Sequence, residues 1–400
     1  MISLEEARDY VWATVAPLDV VTVPVAEALG ARLASDVTST VAVPPFDNTA
    51  VDGFAVRAAD LDTPGARLRI IGTIAAGDAG DGPVGPGEAV RIMTGAPIPP
   101  GADAVAMVEV CEVDDERGLV TISESLRSGA AVRSAGDDIA VGAIVLRAGD
   151  LVTAGGLGLL CTLGLTEVAV IRRPRVGVIS TGDELVQPGR PLGPGQIHDS
   201  NRATLLALVH EAGCEVVDLG LIADDEDLIE DALVLAAATC DAVISSGGVS
   251  MGDFDFVKVV LDRIGDMRWM QIGIRPAKPL AFGRIGTTPV FGLPGNPVSS
   301  MVSFELFARP ALRAMAGHGL EQRTAVSAVA PDGFARRPDG KVHFMRVSLG
   351  RTADLGWEAR SSGGQGSHQL SAMAHADGLA VLPDGDGVAP GGTVEVVLLH

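Results

Sequence analysis

The sequence predicts an α/β fold combined with β modules, and three observations support this. Between about residues 171 and 317, short apolar runs alternate with helical patterns of about 10 to 15 residues, which is typical of parallel strands joined by right-handed crossovers. Before and after this segment, short β-type runs alternate with turns instead. The 50 glycines and 24 prolines are spread between these runs, as in a chain with many turns. Because 400 residues exceed what one hydrophobic core organises, we expect about two to four domains.

The first element is a predicted amino-terminal helix. Ser3 and Glu6 have the spacing of a capping box. Apolar residues then recur at helical spacing, at Leu4, Ala7, Val11 and Val15. The segment MISLEEARD is acidic and has no apolar export signal, so we expect a cytoplasmic protein. The longest uncharged stretch, residues 151–166, is too short and too rich in glycine to span a bilayer.

Runs of β type dominate from about Val20 to Val170. They cover residues 21–25, 67–74, 103–110, 118–122 and 143–146, with a connection rich in glycine and proline at residues 72–87. Their lengths and turns predict small β-barrel or sandwich modules. From about Glu321 to His400 the runs HFMRVSL, LAVLP and TVEVVLL repeat this pattern and predict a second β module.

Five strands are predicted between these β regions, with helical patterns from about Asp224 to Ala238 and from about Val298 to Met315. The strands cover residues 175–180, 215–219, 241–246, 280–283 and 290–292. We expect them to form a parallel sheet. In such a sheet the carboxyl ends of the strands lie at one edge, which is where ligands bind.

A glycine-rich loop follows the third of these strands. Gly247 and Gly248 let the backbone approach a ligand closely, and free N–H groups at the start of the next helix face an anion. Asp253 and Asp255 follow, and they would repel a phosphate unless a cation such as Mg²⁺ lay between them. The loop therefore predicts a metal-assisted nucleotide or phosphate site, and a tight turn without a ligand is the alternative.

Further polar residues follow the other strands of the predicted sheet. They are Thr181, Asp183, Glu184, Asp224, Asp225, Lys278 and the segment LPGNP at residues 293–297. Because these positions meet at one edge of the sheet, they favour a metal and nucleotide site over a solvated acidic surface.

Net charge and cysteine spacing exclude several classes of function. The formal net charge of −21 argues against nucleic acid or an anionic membrane surface as the partner, while local cations can still bind a small anion. Four cysteines lie far apart without C-x-x-C spacing, at Cys111, Cys161, Cys214 and Cys240. They predict reduced thiols and neither a zinc site nor an iron–sulfur site.

Two segments of the first β region differ from ordinary strands. Residues 41–56 place Asp47, Asn48 and Asp52 among prolines, and residues 91–103 present Thr94 in a turn bounded by proline. Taken alone, each segment is typical of a structural turn, because Asp, Asn, Gly and Pro are the residues that turns use.

Together, however, these segments and the α/β motifs resemble the molybdopterin molybdenumtransferase family, which includes bacterial MoeA and the E domain of gephyrin. The resemblance covers nearly the whole chain. The motifs that carry it are, in order, PFDNTAVDGFAV, RIMTGAPIP, AGDDI, STGDEL, QIHDSN, SSGGVSMGD, RPAKP, GLPGNPVS and QGSHQLSAMAHADGLAVLP.

The resemblance implies an enzyme that inserts molybdate into adenylated molybdopterin with Mg²⁺ and releases AMP. It also implies a homodimer of elongated protomers, whose partners would include a molybdopterin adenylyltransferase and molybdoenzyme apoproteins. Four domains are implied: a small linking domain at 20–39 and 139–170, a β module at 40–138 inserted into it, a MogA-like α/β domain at 1–19 and 171–317, and a β-barrel at 318–400.

The resemblance also assigns roles to residues. Glu184, Asp224 and Asp255 would hold Mg²⁺ or orient water. The phosphate or adenylate would be held by Ser246, Gly247, Gly248, Ser250, Asp253, Pro294, Gly295 and Asn296. The anion pocket for molybdate would comprise Arg275, Lys278, Arg346 and Ser371. From the other subunit, the site would receive Asp52, Thr94, Arg133 and Asp138, although Asp52 and Asp138 also fit the role of turn caps.

The chain departs from the family pattern K-x-x-x-K-P-G-K-P. Gln271 and Arg275 stand in place of its first two lysines, and Ala277 in place of its glycine. Arginine binds oxyanions well, but Gln271 removes a charge and Ala277 adds a Cβ where a backbone could approach a ligand. A dimeric, protein-binding scaffold with weak or no insertase activity is therefore the alternative. A MogA-type adenylyltransferase and a competence-damage-like pyrophosphatase share the α/β unit but lack the flanking motifs.

Overall fold

The structure is a computed structural model that describes residues 1–78, 80, 82–247, 256–352 and 354–400. The chain forms two compact units. The large unit comprises Met1–Val21, Gly30–Arg32 and Val170–His400, and the small unit comprises Thr22–Leu29 and Leu33–Ala169. The implied division into four domains stays a prediction.

The first part of the chain consists mainly of short strands. They are β1 (Val20–Pro24), β2 (Val37–Thr38), β3 (Asn48–Thr49), β4 (Gly53–Val56), β5 (Ala66–Ile74), β6 (Glu88–Ile92), β7 (Ala104–Met107), β8 (Cys111–Asp114), β9 (Leu119–Ile122), β10 (Val132–Arg133), β11 (Ile144–Leu146) and β12 (Glu167–Ile171). Before them comes helix α1 (Leu4–Trp12), and between β11 and β12 comes α2 (Ala154–Thr162).

A sheet in the order β7-β4-β6-β5-β9-β8 forms the centre of the small unit. Its pairs are antiparallel except for β5 and β6. Along β4, Phe54 and Ala55 contribute to two different hydrophobic clusters, as expected for side chains that alternate between the faces of a sheet. Both faces of this sheet are therefore covered.

The second part of the chain alternates strands and helices and then forms a barrel. Its strands are β13 (Arg175–Thr181), β14 (Leu185–Val186), β15 (Ile197–His198), β16 (Glu215–Ile222), β17 (Ala242–Ser246), β18 (Asp266–Gln271), β19 (Ile274–Arg275), β20 (Pro279–Ile285), β21 (Thr288–Leu293), β22 (Ala325–Ala330), β23 (Phe334–Ala335), β24 (Val342–Arg351), β25 (Trp357–Ser361), β26 (Gly378–Leu382), β27 (Gly387–Val388) and β28 (Gly392–Leu398). Its helices are α3 (Asn201–Glu211), α4 (Glu226–Thr239), α5 (Phe256–Ile264), α6 (Pro297–Ser303), α7 (Arg309–Met315) and α8 (Leu370–Ala374), and a π turn at Phe304–Ala308 joins α6 to α7.

The α/β sheet has the order β16-β13-β17-β21-β20-β18 and is mixed, so the prediction of a parallel sheet is wrong at one edge. Strands β16, β13, β17 and β21 are parallel, whereas β20 runs antiparallel to both β21 and β18. Only Gly286 and Thr287 separate β20 from β21, and two residues can make a hairpin but not a crossover. Because β20 starts where the parallel strands end, Lys278 still lies at that rim. Strand β18 was not predicted.

Two layers of helices cover this sheet. On one face α1, α3, α6 and α7 bury a cluster that includes Phe282, Phe291, Phe304 and Phe307. On the other face α4 and α5 bury residues such as Leu233. Each of these large side chains contributes about 1.5–3 kcal/mol through burial.

The predicted amino-terminal helix is confirmed in this layer. Ser3 caps it by accepting a hydrogen bond from the Glu6 N–H at 3.0 Å, although the helix ends at Trp12, before Val15.

The carboxyl-terminal region is a closed β-barrel, which confirms the predicted fold class of α/β plus β. The ladder runs β24-β25-β22-β28-β26 and closes through pairing of β24 with β26. Strand β19 adds to it by pairing in parallel with β24, which sets Arg275 opposite His343. Among the described residues, no helix is both long and apolar enough to cross a membrane.

Candidate functional site

Carboxylates meet at the rim of the α/β sheet, beyond β13 and β16. The Asp183 N–H donates to the Asp224 carboxylate at 3.3 Å, and the Asp224 N–H donates to the Asp183 carboxylate at 3.2 Å. Burial raises the pKa of Asp224, and the negative charges of Asp183 and Glu184 raise it further, against a lowering by the Asp183 N–H. These three residues therefore form one acidic group that a cation would stabilise.

The oxygen ligands of this group suit a hard cation such as Mg²⁺. Glu184 is exposed and Asp224 is half-buried, so both could reach a ligand. Within the described ranges no group of three or more His, Cys, Asp or Glu side chains is arranged to hold a metal ion. The third predicted ligand, Asp255, lies outside the described residues. Two members of the predicted metal set, Glu184 and Asp224, are close enough for the charge of Glu184 to act on Asp224.

The loop after β17 lies against the LPGNP segment. The Gly247 N–H donates to the Leu293 carbonyl at 3.0 Å, and a Cβ on Gly295 would lie 3.8 Å from the Gly247 Cα. Gly247 has φ +91°, which favours glycine. Ser246 and Pro294 are buried, whereas Gly295 and Asn296 are exposed. Gly248, Ser250 and Asp253 were predicted here but lie outside the described residues.

A cavity of about 350 Å³ lies between the β19 segment and the barrel. Its described lining has four arginines, Arg275, Arg336, Arg337 and Arg346, and one carboxylate, Asp339. Arg275 and Arg346 were predicted for an anion pocket. Lys278 and Ser371 are exposed, and neither is among the described residues that line this cavity.

Arg346 is the most unusual residue of the cavity. It is 1% exposed, and burial lowers the pKa of its guanidinium. Its Nη2 donates to the carbonyls of Gly364 and Gly366 at 2.8 and 3.1 Å, and its Nε has no acceptor among the described residues. A buried cation without a carboxylate partner costs free energy that a bound anion would offset.

Sequence reasoning missed the His343 side of this cavity. His343 is buried, and its Nε2 lies 3.2 and 3.1 Å from the two oxygens of Asp339. Burial lowers the pKa of His343, and the charges of Arg336 and Arg275 act in the same direction against the opposing effect of Asp339. The only sequence signal was the basic run ARRPDGKVH, which leads into β24.

The Ala277 backbone has the conformation that glycine favours. Ala277 has φ +74° and is 2% exposed, between Pro276 and Lys278. A left-handed conformation costs an L-residue about 1–2 kcal/mol. The departure noted in the sequence therefore places a strained residue beside two cations, Arg275 and Lys278.

In the small unit, one hydrogen-bonded pair joins the two loops singled out in the sequence. The Asp52 carboxylate accepts from both the backbone N–H and the hydroxyl of Thr94, each at 2.7 Å. Both bonds lower the pKa of Asp52, and the bond from the Thr94 backbone N–H has the larger effect. Arg133 pairs with Asn48 in the β10–β3 ladder, and both Arg133 and Asp138 are exposed. Asp52 and Thr94 are thus in contact, while Asp138 lies in a turn where its N–H donates to the Val43 carbonyl.

Comparisons with known proteins cover nearly the whole chain. Residues 2–164 match the family model of the MoeA N-terminal region (domain I and II), residues 177–314 that of a probable molybdopterin binding domain, and residues 328–399 that of the MoeA C-terminal region (domain IV). The molybdopterin molybdenumtransferase of Haemophilus influenzae is 38% identical over 399 residues, which cover 99% of this chain and 98% of that protein.

Two further relatives agree. Molybdopterin molybdenumtransferase 2 of Mycobacterium tuberculosis is 41% identical over 376 residues, covering 91% of each chain. The crystal structure of the molybdopterin biosynthesis MoeA protein from Pyrococcus horikoshii OT3 superposes with a TM-score of 0.80 at 27% identity, over 100% of both chains. The chain therefore belongs to the molybdopterin molybdenumtransferase family of enzymes.

Proposed function

We propose that this protein acts in molybdenum cofactor biosynthesis, where it transfers molybdate into adenylated molybdopterin and releases AMP. The observation that carries the proposal is Arg346, a buried arginine that has no carboxylate partner among the described residues and lines a cavity rich in arginine. Relatives that match over almost their whole length bear the name molybdopterin molybdenumtransferase, which agrees with this reading.

The charge of the cavity suits molybdate, which is a tetrahedral dianion. Four arginines face one carboxylate, Asp339, and that carboxylate already accepts from Arg336 at 2.8 Å. Guanidinium groups bind oxyanions through charge-assisted hydrogen bonds of defined direction. A concentrated local positive charge attracts an anion even though the chain as a whole carries −21.

The rim of the sheet would bind the adenylated end of the pterin. Glu184 and Asp224, with Asp255, would hold Mg²⁺, which when bound offsets the charge on pyrophosphate oxygens as the phosphate bond breaks and AMP leaves. Ser246, Gly247 and the LPGNP segment lie next to one another, and the exposed residues Gly295 and Asn296 would face the phosphate.

The remaining predicted residues would act across a dimer. We expect Asp52, Thr94, Arg133 and Asp138 to complete the site of a partner subunit. In this role the Asp52–Thr94 pair would hold its loop in shape, since each hydrogen bond fixes one segment against the other.

The scaffold alternative is favoured by one observation. The same segment holds the strained Ala277 and Gln271, which stands where the family pattern has a lysine. Both changes would weaken an anion site. In that case the dimer would bind a partner protein and turn over slowly or not at all.

Incubating the purified protein with adenylated molybdopterin, Mg²⁺ and molybdate, and measuring AMP release, separates the two functions. We expect AMP release that depends on molybdate and is lost in Arg346→Met. A folded protein that releases no AMP under these conditions would reject the insertase and leave the scaffold.

A further inference from the structure

The segment 361–369 bonds Arg346 and contains no carboxylate. We infer that Gln365 is a positioning residue, which orients the Arg346 guanidinium for binding an oxyanion. This inference rests on the proposed function, because it specifies how the molybdate site of that function is built.

Gln365 bonds both backbone groups of Arg346 with its side chain. Its Oε1 accepts from the Arg346 N–H at 2.9 Å, and its Nε2 donates to the Arg346 carbonyl at 3.0 Å. The same Nε2 lies 3.0 Å from the Ser361 hydroxyl and 3.1 Å from the Gly363 carbonyl. One amide side chain therefore ties the loop to the strand residue that carries the guanidinium.

The loop in turn holds the guanidinium through its carbonyls. Gly364 and Gly366, the two neighbours of Gln365, are the residues whose carbonyls accept from Arg346 Nη2. A Cβ on Gly364 would lie 2.2 Å from Gln369 Nε2 and one on Gly366 would lie 2.9 Å from Gln369 Oε1, so the Gln369 side chain would have to move if either residue were larger. Gln369 closes the loop by accepting from the Gly366 N–H at 2.6 Å.

These contacts explain how carbonyl oxygens keep a buried arginine in one orientation. A carboxylate would hold Arg346 more strongly, but it would also neutralise the charge that an incoming anion needs. Carbonyl oxygens direct Nη2 and leave the net charge in place. Preorganised donors bind an anion without a further ordering cost, so the loop should act on anion affinity through Arg346.

The test is molybdate affinity, measured by titration calorimetry with molybdate alone. Gln365→Met keeps the size of the side chain and removes both backbone bonds. We expect its dissociation constant for molybdate to rise at least about tenfold, the lower end for losing a charge-assisted contact. The KM for adenylated molybdopterin should change by less than about twofold. Gln322→Met, the same change at an exposed position, should bind molybdate like wild type.

A double-mutant cycle shows whether Gln365 acts through Arg346. In the Arg346→Met background, Gln365→Met should weaken molybdate binding no further, whereas additive losses would overturn the inference. Gln365→Glu provides a second variant if Gln365→Met does not fold. It retains an acceptor for the Arg346 N–H, adds a negative charge, and should bind molybdate more weakly than Gln365→Met.

The outcomes separate the two proposals. If wild type binds no molybdate and releases no AMP, the proposed function fails and this inference fails with it. If wild type binds molybdate and both Gln365 variants bind equally well, only the positioning role is rejected. An equal rise in the KM values of both substrates would also reject it, because that would indicate general damage to the fold.

Discussion

Replacing Ala277 by glycine tests the strain inferred at the edge of the anion pocket. The residue has φ +74°, and relief of that conformation is worth about 1–2 kcal/mol. Two terms oppose the gain: the added freedom of glycine in the unfolded chain, about 0.4–1 kcal/mol, and the loss of a buried methyl, about 0.8 kcal/mol. Ala277→Gly should therefore leave the free energy of unfolding almost unchanged.

Ala281→Gly is the matched control, since Ala281 is fully buried in β20 with no positive φ. It loses the same methyl and gains the same freedom, without relief of strain, so it should destabilise by about 1.2–1.8 kcal/mol. Both residues lie in the large unit and report on the same urea transition. Equal destabilisation by the two substitutions would refute the strain at Ala277.

The remaining predictions concern charge at the site, pH and assembly. Glu184→Ala should lower AMP release at least about tenfold with the fold intact, because Glu184 is exposed and metal-held charge neutralisation is worth several kcal/mol; an unchanged rate at saturating Mg²⁺ would make it a bystander. Lys278→Ala should raise the molybdate concentration for half-maximal turnover roughly ten- to a hundredfold, while Gln271→Lys should lower it by a smaller factor that fades with salt. Burial, followed by the charges of nearby arginines, lowers the pKa of His318 from 6.5 to about 4. The contribution of the neutral His318 to the free energy of unfolding should therefore be fully present above about pH 6.5 and be lost as the pH drops towards 4. His318→Gln should reduce this loss of stability at acid pH in thermal melts. The protein should be a dimer by light scattering at micromolar concentration, and a strictly monomeric species would contradict the shared site.

Local chemistry made several features of the fold predictable. The start of α1 at Ser3 follows from a cap whose partner is three residues away. The strands β13 and β17 follow from apolar runs that are buried along nearly their whole length. The glycine-favouring backbone at Gly247 follows from residue type in the same way. Each of these depends on interactions between near neighbours, which the order of residues determines.

The candidate site was predictable only in part. Asp224 and Glu184 were assigned to one rim because the ends of parallel strands converge, and the structure brings them together with Asp183. The assembly of Arg346 with Arg336 and His343 was not foreseen. All three residues lie in one short stretch, whereas Arg275 reaches them only through the pairing of β19 with β24.

By itself, therefore, the sequence determined the kinds of elements, their order, the family and the residue types available for anion and metal binding. Only the tertiary structure decided strand direction and charge environment. Strand β20 is antiparallel because a two-residue turn cannot return the chain across the sheet. Strand β18 was not predicted because its sequence, DMRWMQ, mixes polar and apolar residues at an edge of the sheet. The burial of Arg346 and its carbonyl partners depend on a loop some twenty residues away in the chain, and no local pattern encodes that contact.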